Sequence, residues 1–345
     1  MKKTLVALAA LAVATGAFAQ SSVKLTGTID ATLAYGGGDV SNKTALVGSG
    51  LNSSEFRFSG VEDLGGGLKV GFIYAAGINN DSGAGASTNT NNQATGGTTG
   101  GGLTFNRKSY INATGGFGEI KLGRDYTPAF MTEAAYDPFG INGVGTSRAF
   151  QGGAAYTGSV AVRASNSIGW VSPTMGGFNV WVQTYMGENA SNVNDAGSGT
   201  QFQANYGAGP LTLSAAYGKT NSAAGVDNEV SNFAAAYDFK TFVLQGYVQK
   251  NKSTGSHDID GYLVGGSVPM GSGLIRASYS NTDNGTAKTG QFALGYVYNL
   301  SKSVQLYGTF ASVTNDGGAS QALNGAVTTV NGSSTGFDFG LSKTF

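Results

Sequence analysis

The fold of this chain is decided by its last eleven residues, Thr335-Gly336-Phe337-Asp338-Phe339-Gly340-Leu341-Ser342-Lys343-Thr344-Phe345. Apolar side chains occupy every second position from Phe337 to Leu341, and Phe345 falls in the same phase. Because successive side chains of a β-strand point to opposite faces, this alternation predicts a strand with one apolar and one polar face. Such a strand fits the wall of a membrane barrel, with lipid outside, water inside and a terminal aromatic ring at the interface.

The same alternation recurs along the rest of the chain. In the first predicted strand, Leu25 and Ile29 share one face, and Thr28 and Asp30 share the other. A soluble β-sandwich would bury the apolar face against a second sheet, and it stays an alternative on this pattern alone. Tyr and Phe residues recur near the predicted strand ends, however, where amphipathic rings suit the level of lipid headgroups. This distribution favours a transmembrane barrel.

The amino terminus is typical of a secretory signal peptide. Lys2 and Lys3 precede an apolar stretch, and Ala17-Phe18-Ala19 matches an A-x-A cleavage site. We therefore expect a signal peptide over residues 1–19 and a mature barrel over residues 20–345. No apolar stretch in the sequence approaches the roughly 20 residues of a transmembrane helix, so a mature chain that spans a membrane must do so with strands.

The composition narrows the possible functions. The sequence carries 20 basic and 20 acidic residues, so we expect no nucleic acid as a partner. It has no cysteine, which excludes a disulfide framework, and its 57 glycines favour many turns. A disordered glycine-rich chain would not contain 11% aromatic residues.

Turn residues divide the mature chain into sixteen predicted strands. Short turns lie at residues 63–67, 115–118, 173–177, 207–210, 238–240, 269–273 and 301–303. Longer polar connections lie near residues 36–53, 77–104, 125–163, 186–199, 219–228, 251–257, 282–289 and 313–334. The sequence thus predicts an all-β fold, a transmembrane 16-stranded antiparallel up-and-down β-barrel, and the even strand number leaves both termini on the periplasmic side.

Several segments carry a family resemblance. They are residues 25–30 (LTGTID), 58–69 (FSGVEDLGGGLK), 116–124 (GFGEIKLGR) and 294–302 (LGYVYNLSK). They resemble the general-diffusion porins of Gram-negative outer membranes, in the branch found in β-proteobacteria, over essentially the whole mature chain. The resemblance implies a homotrimer in the outer membrane that lets small hydrophilic solutes and ions diffuse through. It also implies contact with outer-membrane lipid and lipopolysaccharide, and a carboxy-terminal strand ending in Phe345 that the barrel-assembly machinery recognises.

The connection between Asp125 and Val162 is long enough to suggest a function of its own. Its aromatic residues, among them Phe130 and Phe150, are suited to packing against a wall. In the porins that this chain resembles, the loop at this position folds into the barrel, and residues 137–140 (DPFG) are similar to its tip. We therefore predict an inward-folded constriction loop.

In the porins that this chain resembles, basic residues of the barrel wall stand opposite the loop, and the resemblance implies charged residues on both sides of this constriction. Alternation places Arg57, between Phe56 and Phe58, on the inner face. The predicted wall residues are Arg57, Arg107 and Arg163, with additions from Glu55, Lys69 and Arg124, and the predicted loop residues are Glu133 and Asp137. Cations facing carboxylates would create a transverse field that favours polar, oriented solutes.

The expected charge selectivity is a weak anion preference. Related porins commonly carry an arginine two positions before Arg57, where this chain has Glu55. That carboxylate weakens the positive field on the wall. A substrate-specific channel, and an adhesin or structural barrel with a plugged pore, remain alternative functions.

Neither catalysis nor a cofactor is expected. The sole histidine, His257, stands beside Ser256 and Asp258 in a polar connection, and residues adjacent in sequence do not make a catalytic triad. Asp258 and Asp260 leave a structural calcium ion possible, although calcium needs about six oxygen ligands.

Overall fold

One large antiparallel sheet closes into a barrel, because its first strand pairs with its last. The computed structural model describes residues 22–89, 92, 98–99, 102–157, 160–190, 195–222 and 225–345. The predicted signal peptide, residues 1–19, lies outside these described residues. No helix in the described ranges is long and apolar enough to cross a bilayer.

The strands alternate with short and long connections in the predicted order. They are β1 (Ser22–Gly38), β2 (Lys43–Gly48), β3 (Glu55–Gly65), β4 (Leu68–Gly77), β5 (Thr88–Asn89), β6 (Thr98–Thr99), β7 (Lys108–Gly115), β8 (Gly118–Tyr126), β9 (Arg163–Val171), β10 (Phe178–Tyr185), β11 (Gly199–Ala208), β12 (Leu211–Asn221), β13 (Asp227–Asp238), β14 (Val243–Ser253), β15 (Ile259–Met270), β16 (Gly273–Asp283), β17 (Lys288–Ser301), β18 (Val304–Asp316) and β19 (Ser333–Thr344). Two helices lie between β8 and β9, namely α1 (Pro128–Tyr136) and α2 (Arg148–Thr157).

The barrel wall has sixteen positions, which confirms the prediction. Of the seventeen strands in the large sheet, β2 and β3 share one position, because β2 pairs with the second half of β1 and β3 with its first half. The pair β5–β6 forms a separate small sheet. The sequence did not predict β2, which lies inside the first long connection.

The two faces of the wall follow the alternation read from the sequence. Leu33 and Phe339 are exposed on the outside, whereas Asp30, Thr32 and Asp338 are buried inside. The outer face is thus apolar around the barrel and the inner face is polar. This arrangement suits a wall that contacts lipid outside and water inside.

The β3–β4 turn shows why short connections are rich in glycine. Gly65, Gly66 and Gly67 have φ angles of 81°, 61° and 81°. Side chains with a Cβ rarely adopt this left-handed region, so the tight reversal requires glycine.

The connection between β8 and β9 folds into the barrel, as predicted. Helix α1 packs against β10–β14, and α2 packs against β13–β17. Between the helices, Phe139 and Val144 enter a buried apolar cluster with Ala293, Ala311 and Leu323 of the remaining chain. We call residues 127–162 the constriction loop.

Local sequence determines where α1 begins and ends. The hydroxyl of Thr127 accepts a hydrogen bond from the Phe130 amide at 3.4 Å, and Pro128 occupies the first turn. Both residues are favoured at helix starts, because the first amides have no partner within the helix. The helix ends before Asp137, and the following Pro138 disfavours helical backbone at that residue. The alternation and turn residues of the sequence predicted neither helix.

The carboxy-terminal residue completes the seam between the first and last strands. The amides of Gly27 and Phe345 each donate to the other residue's carbonyl at 3.0 Å. The Phe345 ring packs edge-on against Phe56, with 5.8 Å between ring centres. A Cβ at Gly27 would lie 2.6 Å from the Phe345 ring, so the absent side chain makes room for this ring.

We expect Phe345→Ala to make the folded barrel less stable to heat, because it removes an aromatic contact worth about 0.5–1.5 kcal/mol. The measurement is the temperature at which the barrel loses its faster, folded mobility on an SDS gel. Phe292→Ala is the matched control, since both rings are 46% exposed and Phe292 lies on the outer wall. Equal transition temperatures for the two variants would contradict a sealing role of Phe345.

Candidate constriction site

Side chains of the wall hold the constriction loop in place. Asn232 on β13 donates to the carbonyl of Ala129 at 3.0 Å and to the carboxyl of Glu133 at 3.1 Å. Gln291 on β17 donates to the carbonyl of Val144 at 3.2 Å. These amides satisfy buried polar groups of the loop that have lost contact with water.

A second segment also enters the lumen, and we call residues 49–54 the inner turn. The buried carboxylate of Asp30 accepts hydrogen bonds from the amides of Gly50 and Asn52 at 3.1 and 2.8 Å. It also accepts one from the Tyr307 hydroxyl at 2.6 Å. A carboxylate that receives several donors binds them strongly, so Asp30 fixes the inner turn between β2 and β3.

The inner turn meets the tip of the constriction loop. The Ser53 hydroxyl donates to the side-chain oxygen of Asn142 at 2.9 Å. Gly143 approaches so closely that an added Cβ would lie 2.3 Å from the carbonyl oxygen of Gly50. The loop is therefore braced at its tip. Because its two helices pack against β10–β17, we infer that the remaining passage lies between the loop and the wall strands β3, β4 and β7–β9.

The structure brings the predicted wall arginines together, and we call Arg57, Arg107, Arg124 and Arg163 the basic cluster. Glu55 binds Arg57 through one carboxylate oxygen and Arg107 through the other, each at 2.5 Å. The hydroxyl of Tyr126 accepts hydrogen bonds from Arg107 at 2.7 Å and from Arg163 at 3.2 Å. One carboxylate and one phenol thus connect three cations, which stand on β3, immediately before β7 and on β9.

Arg124 joins the cluster through an irregularity in its strand. The β8–β9 register shifts between Gly123 and Asp125. The Arg124 guanidinium then reaches the Ser165 hydroxyl on β9 at 2.7 Å and the carbonyl of Asn106 at 2.6 Å. Such a bulge changes the direction of a side chain, which simple alternation does not predict.

Two lysines near the cluster were not predicted. Lys108 and Lys121 lie 3.2 and 3.1 Å from the two carboxylate oxygens of Asp125. The signal for Lys121 was present in the sequence, because it stands between the outward-facing residues Ile120 and Leu122.

The prediction that Lys69 lies at the constriction is wrong, because this residue lies at a different height along the barrel axis. Its ammonium lies 3.6 Å from the carboxylate of Asp63, and both side chains are exposed beside the β3–β4 turn. Alternation gives the face of a strand but not the distance of a residue from the constriction.

The prediction that Glu133 and Asp137 face the passage is also wrong. They are only 5% and 3% exposed. Glu133 points to Asn232 on the wall, and Asp137 accepts hydrogen bonds from the amides of Phe139 and Ser147 at 2.8 and 3.2 Å. Burial raises the pKa of Glu133 to about 8 and that of Asp137 to about 6. The loop therefore presents no carboxylate opposite the basic cluster.

The side of the loop that faces the passage is uncharged. Within residues 127–152, the three charged residues, Glu133, Asp137 and Arg148, are all buried. Phe130 and Phe150 are partly exposed instead. Their ring centres are 5.8 Å apart, and Phe130 stacks on Tyr126 at 5.2 Å.

We call Tyr126, Phe130 and Phe150 the aromatic face. It adjoins the basic cluster at Tyr126, whose ring lies 4.6 Å from the Arg163 guanidinium. The constriction thus combines cations on the wall with aromatic rings on the loop.

The acidic residues considered for calcium have a different partner. Asp258 and Asp260 lie 3.1 and 3.3 Å from the ammonium of Lys250. In the described ranges, no group of three or more His, Cys, Asp or Glu residues is arranged to hold a metal ion. The calcium site stays a prediction without support from this geometry.

Comparisons with known proteins agree with this architecture. A family model described as Gram-negative porin matches residues 4–318. Outer membrane porin protein 32 of Delftia acidovorans is 34% identical over 334 residues, which cover 91% of this chain and 90% of that protein. An outer membrane porin protein of Bordetella pertussis is 27% identical over 374 residues, covering 89% and 93% of the two chains.

A solved structure is similar as well. The anion-selective porin from Comamonas acidovorans superposes with a TM-score of 0.83 at 31% sequence identity. The alignment covers 94% of this chain and 100% of that chain.

We expect Asp30→Asn to lower the free energy of unfolding by about 1–3 kcal/mol, because buried amides of the inner turn lose their charged acceptor. Thermal unfolding followed by circular dichroism in detergent measures the change. Asp63→Asn is the control, since Asp63 is an exposed carboxylate beside a short turn. A loss of stability no larger than in this control would contradict the role of Asp30.

We expect Glu133 to make stability depend on pH. An unfolded glutamate loses its proton near pH 4.5, whereas buried Glu133 keeps it up to a pKa of about 8. The folded state therefore binds more protons between these values, and stability falls as pH rises from about 4.5 to about 8.

Glu133→Gln has no such proton to lose, so its unfolding temperature changes less over this pH interval. The measurement compares unfolding temperatures of both proteins from acidic to mildly alkaline pH, with Glu62→Gln at an exposed site as the control. Parallel curves for all three proteins would show that Glu133 is not the group responsible.

Proposed function

This chain belongs to the Gram-negative porin family, and we propose that its pore admits small hydrophilic solutes and ions with a weak preference for anions. It is an outer-membrane channel for passive diffusion, as the family and fold indicate. A barrel of sixteen strands is too wide for its own side chains to fill, so water occupies the lumen. Selectivity then depends on the narrowest part of the passage.

One observation carries the proposed anion preference, namely that positive charges outnumber negative charges at the constriction. The basic cluster contains four arginines and binds one carboxylate, Glu55. The loop face across the passage adds no charge, because Glu133 and Asp137 are buried. An excess of positive charge along a narrow aqueous path attracts anions and repels cations.

The same geometry explains why we propose a weak preference. Glu55 neutralises part of the field of Arg57 and Arg107, which would otherwise be free to act on a passing ion. Salt also screens the remaining charge, with a Debye length of about 10 Å at 0.1 M. The solved relative from Comamonas acidovorans is described as anion-selective, which supports the sign of the proposed preference.

The proposed partners follow from the family resemblance and the outer wall. The exposed apolar wall fits outer-membrane lipid and lipopolysaccharide, and we propose a homotrimer as the assembled form. The alternation in β19 and its end at Phe345 fit the signal that the barrel-assembly machinery reads. Channel recordings also distinguish the alternatives, because a substrate-specific channel would show saturable block and a plugged barrel almost no conductance.

We expect purified protein in planar bilayers to give a reversal potential of anion-selective sign under a potassium chloride gradient. Glu55→Gln removes a negative charge without changing size, so the chloride-to-potassium permeability ratio rises. Arg57→Gln removes a positive charge, so the ratio falls. Both changes are expected to shrink at high salt because the charges are screened.

Lys69→Gln is the matched control for these variants, since Lys69 lies at the mouth beside Asp63. Its permeability ratio is expected to stay close to that of the unmodified protein. A cation-selective sign in the unmodified protein would overturn the proposed function. Equal effects of Arg57→Gln and Lys69→Gln would show that the basic cluster does not set the selectivity.

A further inference from the structure

Tyr126 joins the basic cluster to the aromatic face, because it contacts arginines on one side and Phe130 on the other. The Tyr126 hydroxyl accepts hydrogen bonds from Arg107 and Arg163, and the Arg163 guanidinium lies over its ring. The opposite end of the arrangement is Phe130, which stacks on Tyr126 with 22° between the ring planes. Charge and aromatic surface are thus one ring apart in a fixed geometry.

The rings of the aromatic face are partly exposed on the side of the loop that we assign to the passage. Helix α1 turns Ala129, Thr132 and Glu133 to the wall, whereas Phe130 and Met131 on its other side are only partly buried. The free energy falls when an apolar surface covers aromatic rings that are in contact with water. A passing solute with a flat apolar part can provide that cover.

The basic cluster retains donors for an anion. The Arg57 side chain is 39% exposed, and one of its terminal nitrogens contacts Glu55, so part of the guanidinium stays open to the passage. Arginine binds carboxylates through paired N–H donors, so a carboxylate is the anion that this surface suits best.

We propose that the constriction binds aromatic carboxylates, with the carboxylate on the exposed guanidinium of Arg57 and the ring against Phe130 and Phe150. This inference rests on the proposed anion preference and names the class of anion that the pore favours. A small hydrated anion contacts only the basic cluster, and a neutral aromatic solute contacts only the aromatic face. An aromatic carboxylate uses both surfaces and therefore stays longest at the constriction.

The first test needs only the unmodified channel. Chloride current through single channels in planar bilayers is recorded while potassium benzoate, potassium acetate or potassium cyclohexanecarboxylate is added at constant ionic strength. We expect benzoate to reduce the current at a concentration about two- to tenfold lower than acetate, the factor that one aromatic contact provides. Cyclohexanecarboxylate, which has the same charge and a similar size, is expected to lie between them.

Two variants locate the ring-binding surface. Phe130→Ala is expected to raise the concentration of benzoate that reduces the current until it is close to that of acetate. Phe130→Leu keeps an apolar side chain and is expected to make the blocking concentrations of benzoate and cyclohexanecarboxylate equal. Phe292→Ala on the outer wall is the control and is expected to keep the order of the three anions. The folded mobility of each variant on an SDS gel verifies that its barrel has formed.

The outcomes separate this inference from the proposed function. Equal action of benzoate and acetate on the unmodified channel would overturn the inference, and so would unchanged benzoate block in both Phe130 variants. The reversal potential of the same channels tests the anion preference by itself. A cation-selective sign would overturn the proposed function, whereas an anion-selective sign without discrimination by benzoate would overturn only the inference.

Discussion

Pairing of backbone amides around a closed sheet is the constraint on which the other features depend. Lipid offers no hydrogen bonds, so each strand of the wall must find both neighbours, and the join of β1 to β19 provides the last of them. Closure then fixes which face of every strand meets lipid and which meets water. The number of wall positions makes the enclosed space too wide to be filled by the inner side chains alone.

Inside the barrel, the constriction loop orients its residues in the opposite way to the wall, with apolar rings and not polar groups toward the passage. The wall turns polar side chains inward, and the loop turns its own charged residues toward them, so Glu133 meets Asn232 and Arg148 meets Gln291. Buried polar and ionisable groups need such partners, whereas aromatic rings do not. The rings are consequently left on the side that borders the passage, and the cations of the opposite wall have no anionic counterpart there.

The sequence predicted the features that depend on alternation and on turn residues. These signals are local, so the sixteen wall positions were predictable from them. The meeting of Arg57, Arg107 and Arg163 was expected from the family resemblance and not from alternation alone. Glu133 and Asp137 were misplaced because their orientation depends on which side of α1 meets the wall, a tertiary contact without a local signal. The inner turn was missed for the same reason, since Asp30 holds backbone amides about twenty residues further along the chain.

The seam between the first and last strands also has a consequence for incomplete chains. A polypeptide cut short before β19 would leave both β1 and β18 with unpaired backbone along one edge. Such edges readily accept strands from other molecules. Interrupted synthesis or proteolytic clipping would therefore yield aggregates rather than a narrower working pore. Only a chain that includes β19 can close the sheet and form a channel.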